Sequence, residues 1–158
     1  MTDDQIARHL RRANDVALRA MQMGRHPFGA LLVAPDGETV LAEQGNIDTV
    51  HHAEATLART ASLNYPAGFL WNCSLVTTFE PCAMCAGTVY WANIGRIVYG
   101  ASEEALLALT GNHAENPTLS LPCRELIARG QKAIEVIGTV PALEAEMVEP
   151  HRSFWSQR

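Results

Sequence analysis

The sequence predicts an α/β fold in three layers, a central mixed sheet of about five strands with helices on both faces. Three observations carry that expectation. Apolar and β-branched segments alternate with helical ones in the order α-β-β-α-β-α-β-α-α-β-α, which asks for a sheet covered on both sides. The 158 residues are 47% apolar and 18% charged, enough to close one hydrophobic core and too apolar for disorder. No internal repeat, linker or low-complexity tract divides the chain, so residues 1–158 are expected to form a single domain.

Each element follows from local chemistry. Residues 2–23 predict an amphipathic helix: Thr2 and Gln5 stand at capping-box spacing, and Ile6, Leu10, Ala13, Ala17 and Met21 recur at helical intervals. Arg8, Arg11, Arg12 and Arg19 lie off that stripe, and Gly24 fits the stop. Residues 28–34 are an apolar run, Pro35-Asp36-Gly37 is turn chemistry, and the chain then resumes apolar, so 29–45 predicts a hairpin. A second helix opens at His51 or His52 and runs to about residue 62 on Ala53, Ala55, Leu57, Ala58 and Ala61. Pro66, Gly68 and Asn72 mark a loop. The β-branched run 74–79 predicts a strand. Pro81 sits where a helix can begin, and that helix carries residues 82–92. Residues 94–100 predict a strand, 103–109 a short helix, 111–117 a polar loop, 121–129 a helix, 133–137 a strand and 141–155 a final helix.

Composition excludes several functions. A net charge of −5 disfavours a general electrostatic grip on a nucleic acid duplex. No apolar run approaches the roughly 18 residues of a membrane-spanning helix. The polar, acidic start Met1-Thr2-Asp3-Asp4-Gln5 does not read as a secretory signal, so no membrane association and a cytoplasmic location are expected. The cysteines are Cys73, Cys82, Cys85 and Cys123. In that setting a close Cys pair reads as metal-binding or redox-active, not as a disulfide scaffold.

Two segments carry chemistry: His52-Ala53-Glu54 and Pro81-Cys82-Ala83-Met84-Cys85. A catalytic zinc takes three nitrogen or sulfur ligands from protein and leaves its fourth place to water. Cys82 and Cys85, three apart in the first turn of a helix, can converge on one ion, and the helix N-terminus favours their thiolates. His52, at the start of the other helix, can supply the third ligand. Glu54 can reach the same point off the helix end and exchange protons there, general acid–base work beside a metal-activated nucleophile. A lone Cys-x-x-Cys also fits a redox pair, and His51 is an alternative ligand; the pairing with a His-x-Glu register favours metal and His52. Cys73 and Cys123 lack ligand-like spacing and read as small buried residues.

The two segments resemble the motifs of the zinc-dependent cytidine/deoxycytidylate deaminase superfamily. The wider run Phe79-Glu80-Pro81-Cys82-Ala83-Met84-Cys85-Ala86-Gly87 is similar to its branch of guanine deaminases, fungal-type cytosine deaminases and tRNA adenosine deaminases, and the similarity extends from Phe28-Gly29-Ala30 to about Ala101. The resemblance implies a cytidine-deaminase-like fold and one zinc ion per chain on His52, Cys82 and Cys85. It implies Glu54 as the proton shuttle, with the backbone N–H groups of Ala53 and Cys82 orienting substrate and water. Asn46, in Gly45-Asn46, matches the Asn that hydrogen-bonds the base, and otherwise caps a loop. Phe28 matches a residue lining the base pocket, and otherwise packs in the core. A homodimer is implied as well.

On substrate the sequence points several ways. Tyr90-Trp91-Ala92 resembles the corresponding run of bacterial guanine deaminases, which makes Trp91 a candidate substrate-binding residue. The run from Asn93 to Ala101 resembles tRNA adenosine deaminases, which need basic surface for RNA. Residues 141–150 are acidic and only Arg152 and Arg158 follow, so a small-molecule base or nucleoside is favoured, guanine first, with tRNA disfavoured. Cytosine, isocytosine-like bases and aminated triazines stay open. The segment 109–117 either reads a purine edge or is a solvated loop. Ser153-Phe154-Trp155 either caps the pocket or packs on the core.

Overall fold

Helix α1 (Asp3–Gln22) starts where the capping box places it. The Thr2 hydroxyl accepts from the Gln5 N–H at 3.2 Å, and the Gln5 side chain accepts from the Thr2 N–H at 2.7 Å. In this computed structural model, which describes residues 1–111 and 113–158, the chain continues through a hairpin of β1 (Gly29–Val33) and β2 (Val40–Gly45). There follow α2 (Ala53–Asn64), the single-turn α3 (Ala67–Leu70), β3 (Ser74–Phe79), α4 (Ala83–Ala92), β4 (Arg96–Ala101) and α5 (Glu103–Thr110). The chain ends with α6 (Cys123–Ala128), β5 (Glu135–Ile137) and α7 (Pro141–Ser156).

The five strands form one mixed sheet in the order β2-β1-β3-β4-β5. β1 is antiparallel to both β2 and β3, whereas β3, β4 and β5 run parallel. Leu31 lies opposite Val76, which in turn pairs with Val98. Strands inside a sheet covered on both sides bury both of their faces, and alternate residues here divide between two cores. Ala30, Leu32, Leu75 and Ile97 face a layer of α2, α4 and α6; Leu31, Val33, Val76 and Val98 face α1, α5 and α7.

Several boundaries differ from the sequence expectation. The loop at 66–72 contains α3, capped at Pro66 and anchored by the buried Leu70. Pro81 stands two residues before the first helical position: Cys82 is the cap of α4, and its carbonyl accepts the Ala86 N–H at 2.8 Å. β4 starts only at Arg96, because Asn93 closes α4 in the left-handed region at φ 64° and Gly95 lies against Trp71, where a Cβ would sit 1.9 Å from the carbonyl oxygen. α6 and β5 are shorter than their apolar runs. No helix among the described residues is long and apolar enough to cross a membrane.

Candidate active site

The loop from β2 into α2 is folded by Asp48. Its carboxylate accepts from the N–H groups of Val50 and His51 at 2.8 and 2.7 Å and holds the His51 ring at 2.9 Å. These bonds, the backbone ones first, hold Asp48 down at about 2. His51 is thereby committed to Asp48 on the surface, and His52 turns inward as the cap of α2.

His52 and Cys82 occupy the cap positions of α2 and α4, and neither side chain makes a capping hydrogen bond. Both are turned toward a common point. His52 Nδ1 lies 3.6 Å from Cys82 Sγ and 3.6 Å from Cys85 Sγ. A tetrahedral zinc with ordinary Zn–N and Zn–S bonds spans ligand edges of about 3.5 Å, so the three donors fit that ion. Their donor atoms all lie within 4.8 Å of one another. Hydrogen bonding from Cys85, and then His52, outweighs burial and lowers the Cys82 thiol to about 4. The same contact with Cys82, reinforced by burial, pushes Cys85 up.

Glu54 stands in the first turn of α2 and is 5% exposed. Thr77 Oγ1 donates to its Oε1 at 2.8 Å, while Oε2 lies 3.5 Å from Cys85 Sγ. Burial raises this carboxyl above its ordinary value. Ala53, wholly buried, begins α2 between the His and the Glu.

Asn46 is 2% exposed. It donates its backbone N–H to the Phe28 carbonyl at 3.0 Å and its Nδ2 to the Asp48 carbonyl at 3.2 Å. Its Oδ1 is buried with no partner among the described residues, an acceptor left open. Phe28 is half-buried and packs edge-to-face on Phe79 and His151, touching both cores.

A pocket of about 450 Å³ opens onto His52 and Cys82. Its other walls include His26, Thr49, Glu103 and the segment 114–119. Asn46 and Phe28 are not among the residues that line the opening. Trp91, a candidate substrate-binding residue in the sequence, does not line this pocket. It lies six residues beyond Cys85, about 9 Å along the helix at 1.5 Å per residue, is 81% exposed, and packs on Tyr90 under Lys132, away from the pocket.

The sequence reading overlooked Thr77, Glu103 and His26. Thr77 and Glu103 come from strand and helix positions with no local signature. Glu80 was visible within the Cys-x-x-Cys run, yet its work is long-range: its carboxylate accepts the Cys123 N–H at 2.9 Å and the Glu103 N–H at 3.3 Å, fixing the starts of α6 and α5 beside the pocket. Of the segment 109–117, Asn112 lies outside the described residues. The rest is not merely a solvated loop, because Ala114 to Pro117 line the pocket and Glu115 pairs with Arg158 and with His26 at 3.7 Å. Phe154 and Trp155 are buried, and Trp155 donates to His151 Nδ1 at 3.2 Å.

A family model for the cytidine and deoxycytidylate deaminase zinc-binding region matches residues 3–101. A probable cytosine deaminase of Schizosaccharomyces pombe is 33% identical over 150 residues, spanning 93% of this chain and 90% of its own length. The guanine deaminase of Bacillus subtilis is 38% identical over 97 residues, 58% of this chain and 62% of its own. Among solved structures, a chain from a study of A-to-I editing by tRNA A34 deaminases superposes with a TM-score of 0.66 at 26% identity, covering 91% of this chain and 99% of that one.

Proposed function

We propose, from the premise that this chain belongs to the cytidine and deoxycytidylate deaminase zinc-binding family, that it hydrolyses the exocyclic amine of a free nucleobase or nucleoside, guanine first among them. In this reading His52, Cys82 and Cys85 hold one zinc ion, which when bound supplies a Lewis acid that makes water nucleophilic near neutral pH. Glu54 moves the protons. Thr77 fixes Oε1 and leaves Oε2, on the cysteine side, to take a proton from water. It delivers that proton to the ring nitrogen as the water oxygen bonds to the ring carbon, then carries the proton of the new hydroxyl to the departing amine. One C–N bond breaks, a carbonyl forms and ammonia leaves. Asn46 offers its open Oδ1 to an N–H on the base.

The observation that favours a small substrate over RNA is the state of the cations. Arg8 pairs with Glu38, Arg11 with Glu146, and Arg12 and Arg19 share Glu43. Arg96, Arg152 and Arg158 are likewise paired, and Arg124 and Lys132 donate to backbone carbonyls. Phosphates need free Lys and Arg, and few remain among the described residues. The pocket volume accommodates a bicyclic base. The long match to the fission yeast relative supports a second reading, cytosine as substrate. A homodimer in the cytoplasm belongs to the same reading, and sedimentation velocity would check the dimer.

The test is ammonia release from guanine, cytosine, isocytosine, adenine and their nucleosides, beside inosine formation in an anticodon stem-loop. Turnover of a base or nucleoside with no editing is expected. Editing of the RNA with every small substrate untouched overturns the reading.

A further inference from the structure

Glu103 has a side chain whose position the fold does not require. It occupies the first turn of α5, where an acidic residue commonly sits in solvent and balances the helix dipole. Its neighbour Glu104 does that, being exposed. The helix is already capped, since Ser102 Oγ accepts the Ala105 N–H at 3.0 Å, and the Glu103 backbone N–H is held by Glu80. Glu103 nevertheless lines the pocket that exposes His52 and Cys82. Its Oε2 is buried and has no hydrogen-bond partner, and no Lys, Arg or His pairs with Glu103 among the described residues. Nor does it join the group of three metal-binding side chains. A buried acceptor oxygen, unpaired within the chain and carried by a residue that lines a binding pocket, is suited to a donor that arrives with the ligand.

We propose that Glu103 is a specificity-determining residue that accepts a hydrogen bond from a ring N–H of the incoming base, and so selects bases with that nitrogen unsubstituted over N-alkylated or N-glycosylated ones. The proposal rests on the reading of the site as a base deaminase and narrows it from base-or-nucleoside to base. The nitrogen that carries the sugar in a nucleoside is a ring N–H in the free base. A carboxyl oxygen cannot accept from it once the hydrogen is replaced, and the added group competes for the space beside Glu103.

Two variants test it, Glu103→Gln and Glu103→Ala, each compared with wild type on guanine, cytosine, their ring-N-methyl derivatives and their nucleosides. For the preferred base, Glu103→Ala is expected to raise KM roughly 10–100-fold with kcat little changed, and to erase most of the preference over the N-methyl compound. Glu103→Gln, which keeps one acceptor oxygen, should show a smaller rise and keep part of the preference. Calorimetric binding of the same compounds in a turnover-dead Glu54→Gln background should give Kd changes in the same order, and zinc content should stay at the wild-type level. If the Ala variant does not fold, the Gln variant decides: raised KM with intact kcat and zinc supports the proposal, and unchanged KM overturns it. Equal loss on every compound, through kcat, would assign Glu103 a structural role and also overturn it. These failures differ from failure of the function itself, in which wild-type protein acts on RNA alone.

Discussion

At the scale of single residues, the proposed chemistry concentrates on Glu54. Its carboxyl is buried, raised by desolvation and anchored on one oxygen by Thr77. Glu54→Gln keeps the shape and the hydrogen bond but cannot relay a proton. We expect zinc content and base binding to persist while kcat falls by about 10⁴-fold or more, since one group serves several transfers. Steady-state ammonia release on metal-assayed protein measures this, and more than roughly a tenth of wild-type kcat would remove Glu54 from its role. Asn46→Ala should lower kcat/KM by about 1–3 kcal/mol in transition-state binding, because it removes the open carbonyl proposed to hold the base. A parallel zinc assay separates that effect from slackening of the Asp48 turn, which Asn46 also supports. That His52, Cys82, Cys85 and Glu54 would come together was legible in the sequence because each motif is local, with ligand types at short spacing. Thr77 and Glu103 were not, because pairing of β1 with β3 and the docking of α5 bring them there from positions with no local pattern.

At the scale of elements, α1 lies directly against the backbone of β1. A Cβ on Gly29 would stand 2.2 Å from the Ala13 carbonyl oxygen and 2.7 Å from the Ala17 nitrogen, both backbone atoms that cannot rotate aside. Gly29→Ala must lift the helix from the sheet, at about 1–3 kcal/mol or more. Urea denaturation should show a lower midpoint at unchanged slope; an unchanged midpoint would mean that the helix shifts freely. Long elements were readable from their period, and α1 fell within a residue of its expected limits. The single turn of α3 was not, since four residues have no period and Pro66 reads as loop chemistry. The start of α4 was displaced because its cap is a cysteine that makes no capping bond.

At the scale of the whole molecule, the element order was legible but the strand order was not. Nothing local tells β1 to lie between β2 and β3. The C-terminal helix joins this frame through His151, which lies against Phe28 and Phe79. Its Nε2 donates to the Pro27 carbonyl at 2.8 Å and its Nδ1 accepts from Trp155 at 3.2 Å, an arrangement open only to the neutral ring. Burial, with a further contribution from His26, lowers it to about 3. The unfolded chain binds this proton near pH 6.5 and the folded chain does not. Its contribution is therefore complete above about pH 6.5 and is lost as pH falls toward 3, at up to about 1.4 kcal/mol per unit. Urea melts at pH 7 and 4.5 should show this loss in wild type and a smaller one in His151→Asn; equal losses would clear His151 of any part in acid sensitivity.

The two helix caps that face each other as metal-binding residues stand 30 positions apart in sequence, with central strand β3 between them. We expect the three donors to meet only once β3 has paired and α2 has docked on α4, after the folding barrier. Time then separates what equilibrium merges. Stabilisation that arrives after the folding barrier slows escape from the native state and leaves entry unchanged. Stopped-flow traces with and without zinc should share one refolding limb and part on the unfolding limb. Zinc-accelerated refolding with unfolding unaltered would place the meeting of the two helices at the barrier itself.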